Sequence, residues 1–284
     1  MGDSYVTLDL LKGTAALNIT GTAYDSRLLA VAEAVSRQID NFCGGRHFFY
    51  IIEDRHFSGD NGKELRVPDL ISVSTLLEDT NMDGTFETGW AAADYDLSPF
   101  NAAPTSTWGR PYSALLVSQK SDATQDHFLK GQRNYRITGT WGWNKTTLDT
   151  GLNGSGTLTS TGTSLVLDGT VGTAISAGHT ILLDNELMYV EQEAASTTTA
   201  VTIRRAMNGS TATAHSTSDV AVIIFPTPIV EAAFIQTARL WKRKDSAFAP
   251  AVGFPETGQM TVFGGLDPDV RDILRKSGYV RLNI

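Results

Sequence analysis

The 284-residue sequence predicts an α+β fold in which N- and C-terminal helices form a helical bundle and β-rich insertions lie between them. Helical periodicity is confined to the two ends of the chain. The middle is a succession of short β-branched and aromatic runs bounded by Gly, Pro, Asn or Asp, the texture of strands. Composition then divides the chain. Residues 1–45 with 226–284 form the helical core, 46–145 a β-rich domain, and 146–225 a small inserted β-module, since Thr146 to Ser218 is rich in Thr, Ser and Gly and has no Pro, Trp or Cys. Helices too few to pack alone find partners once the chain returns, so the β-modules are expected to project outward and the third to be excisable.

The first helix is short, Leu8 to Ala16, after Thr7 as cap. From Asp25 to Phe42 the apolar residues Leu28, Val31, Ala32, Val35, Ile39 and Phe42 recur at intervals of three and four, on one face of a helix. Asp25 or Ser26 caps it, and Gly44-Gly45 supplies the left-handed stop after Cys43. Strands follow at His47–Glu53, Leu65–Val67, Val73–Glu78, Asp94–Leu97, Ala114–Ser118 and Arg133–Trp143. Those of the module are Thr157–Thr159, Ser164–Leu167, Thr180–Leu183, Glu186–Glu193, Ala200–Arg204 and Val220–Phe225, with Asp184-Asn185 as a tight turn. After Pro226 and Pro228 a wide apolar face of Val230, Phe234, Ala238 and Trp241 with Ile229, Ala233 and Leu240 runs as a helix to about Lys244. A last helix, Pro268 to Lys276, is capped by Asp267.

The length suits two domains. One cysteine, Cys43, can form neither an internal disulfide nor a zinc cluster. No apolar run approaches the ~20 residues that span a bilayer, and Asp3 and Asp9 stand where a signal peptide is basic, so membrane and secreted readings are set aside. The formal charge of −8 argues against a surface that embraces nucleic acid throughout. Residues 146–225 carry two basic and seven acidic residues, and only 226–284, with eight basic and six acidic, is net positive.

No Walker loop, dinucleotide fingerprint, HExxH or nucleophile elbow is present, and His47, His56, His127, His179 and His215 stand singly. No catalytic residue, cofactor or enzymatic activity is expected. Asp79, Asn81, Asp83 and Gly84 match the opening of a calcium loop, but Trp90 occupies position twelve, where a bidentate acid belongs. A DG hairpin turn between Glu78 and Trp90 explains the same residues, with calcium as the alternative. Lys242-Arg243-Lys244 sits where a helix C-terminus favours cations, and a DNA contact is the other reading. Arg239 and Trp241 are of the types enriched at subunit interfaces. Cys43 reads as a small buried hydrophobe. Trp90, Trp108, Trp141 and Trp143, set among Thr- and Ser-rich strands, suggest a second function class, a carbohydrate- or cell-surface-binding module with an aromatic platform.

Taken together, several segments resemble the head-tail adaptor, or connector, proteins of long-tailed bacteriophages. They are YVTLDLLKGTAALNI, then DSRLLAVAEAVSRQIDNFCGGRHF at Asp25 to Phe48, with Gly45 as an extra glycine before Arg46, and NYRITGTWGWN at Asn134 to Asn144. The Pro226-started helix and DSAFAPAVGFPETGQMTV at Asp245 to Val262 are similar to the later parts of such adaptors. Residues 146–225 interrupt the pattern, and AGHTILLDNELMYVEQ with VTIRRAMNGSTATAHSTSDVAVI resembles a β-module recurring in virion proteins. The resemblance implies a ring, typically of twelve copies, made in the host cytoplasm and seated beneath the portal in the virion neck. Its partners would be other copies of itself, the portal protein, and a tail-side neck or tail terminator protein. Genome DNA would pass through the lumen without sequence recognition. Interface candidates are Arg239, Trp241, Lys242, Arg243, Lys244, Phe248, Phe254, Met260 and Tyr279. Segments 245–263 and 277–284 are candidates for ordering on a partner.

Overall fold

The computed structural model describes residues 3–106, 109–171, 174–193, 199–243, 251–254, 259–262 and 265–281. In chain order come α1 (Leu8–Lys12), α2 (Asp25–Phe42), β1 (Ile51–Phe57), β2 (Glu64–Glu78), β3 (Thr88–Trp90), β4 (Tyr95–Ser98), β5 (Tyr112–Val117) and β6 (Tyr135–Trp141). Then follow β7 (Thr147–Asn153), β8 (Ser164–Val166), β9 (Thr180–Leu183), β10 (Glu186–Glu193), β11 (Ala200–Arg204), β12 (Asp219–Ile223), α3 (Thr227–Lys242), β13 (Ala251–Phe254), β14 (Gln259–Val262) and α4 (Pro268–Lys276). The expected helical bundle with β insertions is corrected by this inventory. Two six-stranded antiparallel sheets dominate, and the described residues hold four α-helices, one of them a single turn and a half. Periodicity placed the four helices, the first of them ending at Lys12 rather than Ala16, but overstated their share of the fold.

The chain divides into two compact units, residues 47–146 and residues 1–46 with 147–284. In the first, the sheet order is β1-β6-β2-β5-β4, with β3 on β2. Its long strand β2 is continuous through Pro68 and Asp69, where two separate strands were expected. The register shift between Arg66 and Leu70 and the left-handed Asp69 (φ 46°) absorb the proline in a bulge, so one strand serves β5 with its first half and β6 with its second. The core there is aromatic. Trp90 stacks on Phe128 at 4.6 Å, Tyr135 meets both edge-on, and the buried Glu78 carboxylate accepts from Trp90 Nε1 (2.8 Å) and the Tyr135 hydroxyl (2.7 Å).

In the second unit the sheet order is β7-β12-β9-β10-β11-β8. A bridge between Gly154 and Leu167, with Ser155 N donating to Val166 O, ties the end of β7 back to β8, so the sheet curls into a small barrel. Closure removes the edges that an open sheet would present. Alternate residues fill the interior: Leu165 and Leu167, Ile181 and Leu183, Met188 and Val190, Val201 and Ile203, Val220 and Val222. The two-residue turn at Asp184-Asn185 is present, with Asp184 left-handed at φ 53° as such turns require.

The barrel does not simply project. Thr180, Leu187 and Tyr189 point away from its interior yet are buried, and Leu8 N donates to Ala177 O while Asp9 N donates to Ser176 Oγ. The segment from Asp3 to Leu11 crosses this outer face, with Asp3, Ser4, Tyr5, Val6, Leu8 and Leu11 all buried. Gly178 permits the crossing, because a Cβ there would stand 3.1 Å from Val6 O in a backbone already at φ 99°. α2 packs on α3, and α3 on α4. The buried stripe of α3 is Ile229, Ala232, Ala233, Gln236, Thr237 and Trp241; of the expected wide apolar face it takes in Ile229, Ala233 and Trp241, while Val230, Phe234, Ala238 and Leu240 are half-buried.

Excising 147–225 should therefore unfold the remaining helices of this unit, since it strips the cover from Tyr5, Val6 and Leu8. Circular dichroism of the deletion protein checks this; a cooperative thermal transition as high as that of the full chain would contradict it.

Candidate functional site

The densest polar constellation lies at the turn end of the β9–β10 hairpin. Glu186, first residue of β10 and 1% exposed, is gripped by Arg205 through Nε to Oε1 (2.6 Å) and Nη2 to Oε2 (2.7 Å). Its oxygens also accept from Ala206 N (3.0 Å) and Thr213 N (3.1 Å), and His215 Nε2 lies 2.8 Å from Oε2. The other His215 nitrogen lies 2.7 Å from Asp184 in the turn. Arg205 spends its remaining donors on the carbonyls of Thr159, Gly162 and Thr213. A buried ion pair is tolerated when every donor and lone pair is satisfied, as here. Burial alone would raise the Glu186 carboxyl, but Arg205, His215 and the two amides outweigh it and hold it down at about 2. Hydrogen-bond capacity is fully used within the chain, so the arrangement builds structure and leaves no nucleophile or base free for a substrate.

What it builds is an arm, residues 205–215, laid across the barrel end. The arm contains the left-handed residues Ala206, Asn208 and Gly209, and it aims Asn208 Nδ2 at Asp3 Oδ2, 2.7 Å away. The Thr180 hydroxyl donates to the other Asp3 oxygen. Asp3 is wholly buried, and this desolvation, opposed by Thr180, Asn208 and the charge of Arg37, pushes its carboxyl above the ordinary range. None of these residues was singled out by spacing. Glu186, Arg205 and His215 are dispersed singles in the sequence, and only the DNE turn that brings β9 and β10 together hinted at their meeting.

The interface candidates fall into three groups. Arg239 pairs with Asp267 and, at 2.9 Å, with Asp269, fastening α3 to the first turn of α4, and Gln236 Oε1 accepts from Asp267 N at 3.1 Å. Trp241 is 7% exposed with its ring edge-on to Tyr24 at 5.8 Å, and Tyr279 is buried with its carbonyl accepting from Arg46 Nη1 at 2.8 Å. These three hold the unit together. Lys242 is exposed at the end of α3 and Arg243 is half-buried beyond it. Lys244 and Phe248 lie outside the described residues, as do the side chains of Phe254 and Met260, whose backbones pair in the β13–β14 hairpin. Burial pushes the Cys43 thiol up to about 12, as suits a core residue. Gly44 (φ 77°) and Gly45 (φ 74°) end α2 as expected, and Arg281 N donates to the Cys43 carbonyl.

The Asp79 loop brings Asp79, Asp83 and Glu87 together, their carboxylate oxygens within 4.8 Å of one another. Glu87 stands at position nine of the calcium pattern, and position twelve is still Trp90. The loop's own amides already occupy these oxygens: Gly84 N on Asp79 (2.8 Å), Thr85 N on Asp83 (2.7 Å) and the Thr80 hydroxyl on Glu87 (2.6 Å). The Thr85 amide lowers the Asp83 carboxyl and the Thr80 hydroxyl that of Glu87, so both are anionic near neutrality. Of the supposed aromatic platform, Trp90 and Trp141 are buried, Trp143 is half-buried, and Trp108 lies outside the described residues. Two buried indoles cannot offer a face to a sugar.

No family model and no curated protein matches the chain.

Replacing Glu186 with Gln should cost about 3–5 kcal/mol, because it leaves the buried Arg205 guanidinium without its counter-charge. The depressed carboxyl also sets a sign. Its stabilisation is complete above pH 4.5, the unfolded value, and is lost as pH falls towards about 2. Chemical denaturation between pH 7 and pH 2 should show this acid limb in the parent and a shallower one in Glu186→Gln; identical limbs would contradict the role.

Proposed function

We propose that the chain is a structural adaptor of a virion neck, a subunit that repeats around an axis to form a ring joining capsid portal to tail. The observation that carries the reading is the packing of the two ends of the chain. α2, with its Cys43-Gly44-Gly45-Arg46 turn, lies against the proline-started α3 and is locked to the last residues through Arg46, Arg275 and Arg281. These are among the segments that resemble phage adaptors. The adaptor reading does not require a helical bundle, only a rigid body whose repeated face closes a ring.

Further support comes from β13–β14, a hairpin that forms a two-stranded sheet of its own among the described residues. Such hairpins are marginal in water and gain stability from a partner surface. The acidic balance of the chain suits a conduit through which DNA slides, since an anionic wall does not hold phosphates. Ring neighbours, the portal and a tail-side protein are the proposed partners, and the virion neck is the proposed location. Interface burial is its proposed mode of action, with no chemistry on a substrate.

Solution mass measurement together with negative-stain electron microscopy tests this. Closed rings of one symmetry are expected, formed by the protein alone or on adding the portal of the same virion. A monomer that stays monomeric with that portal present would overturn the reading.

A further inference from the structure

A strand at the rim of a sheet carries backbone N–H and C=O groups that no ladder uses, and another strand can add to them. Most rims in this chain are blunted. β3 and β8 hold three residues each, and β4 holds four and runs into Pro99. β7 is bulged at Thr150-Gly151, where its register against β12 shifts. β1 is different. Its seven residues pair with β6 without a shift, from Ile51 opposite Trp141 to Phe57 opposite Tyr135, and among the described residues no strand lies on its other side. Among those residues, too, no backbone hydrogen bond outside that ladder involves Ile51–Phe57. The strand contains no Pro, Gly or Lys, so neither a bulge nor a proline nor a lysine guards it.

The charges of β1 are answered inside its own unit. Arg55 Nε donates to Glu53 Oε1 (2.7 Å) and its guanidinium lies over the Trp141 ring at 4.5 Å, while Asp54 accepts from the Thr138 hydroxyl (2.6 Å). An incoming strand therefore needs only its backbone, and an uncharged one sets no like charge against Glu53 or Asp54. A second β1 does not qualify. Paired antiparallel over all seven residues, it would put one Asp54 directly opposite the other, and like charges so placed destabilise a pair.

The hairpin β13–β14 supplies an uncharged strand. Among the described residues it pairs only with itself, from Ala251 opposite Val262 to Phe254 opposite Gln259, and neither of its strands contains a charged residue. Of its two outer edges, that of β14 is the better donor. Gln259–Val262 has no glycine or proline, whereas β13 contains Gly253 and is followed by Pro255, which has no N–H to give.

We propose that β14 of one copy adds to the β1 edge of a second copy, extending that sheet to β13-β14-β1-β6-β2-β5-β4. Donor strand and receiving edge are different surfaces, so each copy gives to one neighbour and receives from another. Such a heterologous contact closes into a ring or runs on as a filament. The proposal rests on the adaptor reading only for closure of that ring; the strand addition stands on the open edge and the hairpin.

Mixed disulfide formation in the full chain tests it. Cysteine is placed singly at Ile52, Asp54 or His56 of β1 in one set of proteins and at Gln259, Met260 or Thr261 of β14 in another. The two sets are mixed under mild oxidation, alone and with the portal of the same virion, so that every β1–β14 disulfide joins two copies. Leu148→Cys, on the exposed part of β7, is the control, and the buried Cys43 stays in place. At least one β1–β14 combination should form mixed dimers about tenfold faster than the same β14 variant with Leu148→Cys, because paired strands hold the two thiols at high effective concentration. Rates equal to the control in every combination, both alone and with the portal, would overturn the proposal. So would β1–β1 dimers that outrun the mixed ones. Three positions on each strand keep the test decisive if one variant does not fold. Rings that form without the mixed disulfide would leave the adaptor reading standing and remove this contact. Mixed disulfides in a protein that forms no ring with the portal would do the reverse.

Discussion

A single buried carboxylate, Glu186, organises the larger of the two units. With Arg205 and His215 on it, the polar ends of the hairpin β9–β10 and of the loops at 159–162 and 213–215 converge on one point below the surface. So many polar groups in so small a volume are tolerable only because each donor meets an acceptor; leaving one out strands the others. The geometry also explains why residues 205–215 can hold a run of left-handed positions, a conformation that L residues adopt at a cost unless the surroundings fix it.

The same arm carries the barrel's hold on the rest of the unit. Asn208, placed by that arm, meets Asp3; Thr180, placed by the β9 strand, meets it from the other side. Through Asp3 the ordering reaches Tyr5, whose hydroxyl donates to Asp40 on α2 at 2.5 Å, and so to the helices α2 and α3. A module inserted late in the sequence therefore shares a core with the earliest residues described, and the two are one compact unit. Residues 47–146 form their own unit around the Trp90, Phe128 and Tyr135 rings and Glu78.

Much of the local structure was legible in the sequence, and its limits have physical causes. Asp267 caps α4 as read, whereas the N-cap of α2 is Tyr24 and not Asp25 or Ser26. α2 and α4 fall where periodicity puts them, Asp25–Phe42 and Pro268–Lys276, because an amphipathic stripe is a local signal. The Asp184-Asn185 turn was readable for the same reason. β2 was split in two because Pro68 ordinarily ends a strand, and only the pairing of Arg66 and Leu70 on one neighbour reveals the bulge. β7, Thr147–Asn153, was missed since its side chains are mostly exposed, so it shows no alternation. Barrel closure depends on one bridge between distant residues, Gly154 and Leu167, and no window of sequence contains both. The polar constellation failed to show for a like reason. Glu186, Arg205 and His215 are ordinary surface types until the fold buries them. Arg239 and Trp241, read as interface candidates, also make contacts within the unit, Arg239 with Asp267 and Asp269 and Trp241 with Tyr24.

The dependence of the packing of Asp3–Leu11 on the Glu186 cluster is tested most directly by a double-mutant cycle between Glu186→Gln and Asp3→Asn, read as unfolding free energy at neutral pH. The two side chains belong to separate hydrogen-bond groups, linked through the 205–215 arm and Asn208. If the arm transmits order between them, the double variant should depart from the sum of the single variants by more than about 0.5 kcal/mol, the limit within which independent sites add. Strict additivity would mean that the barrel end and the docked segment are stabilised separately, and the linkage drawn through Asn208 would be wrong.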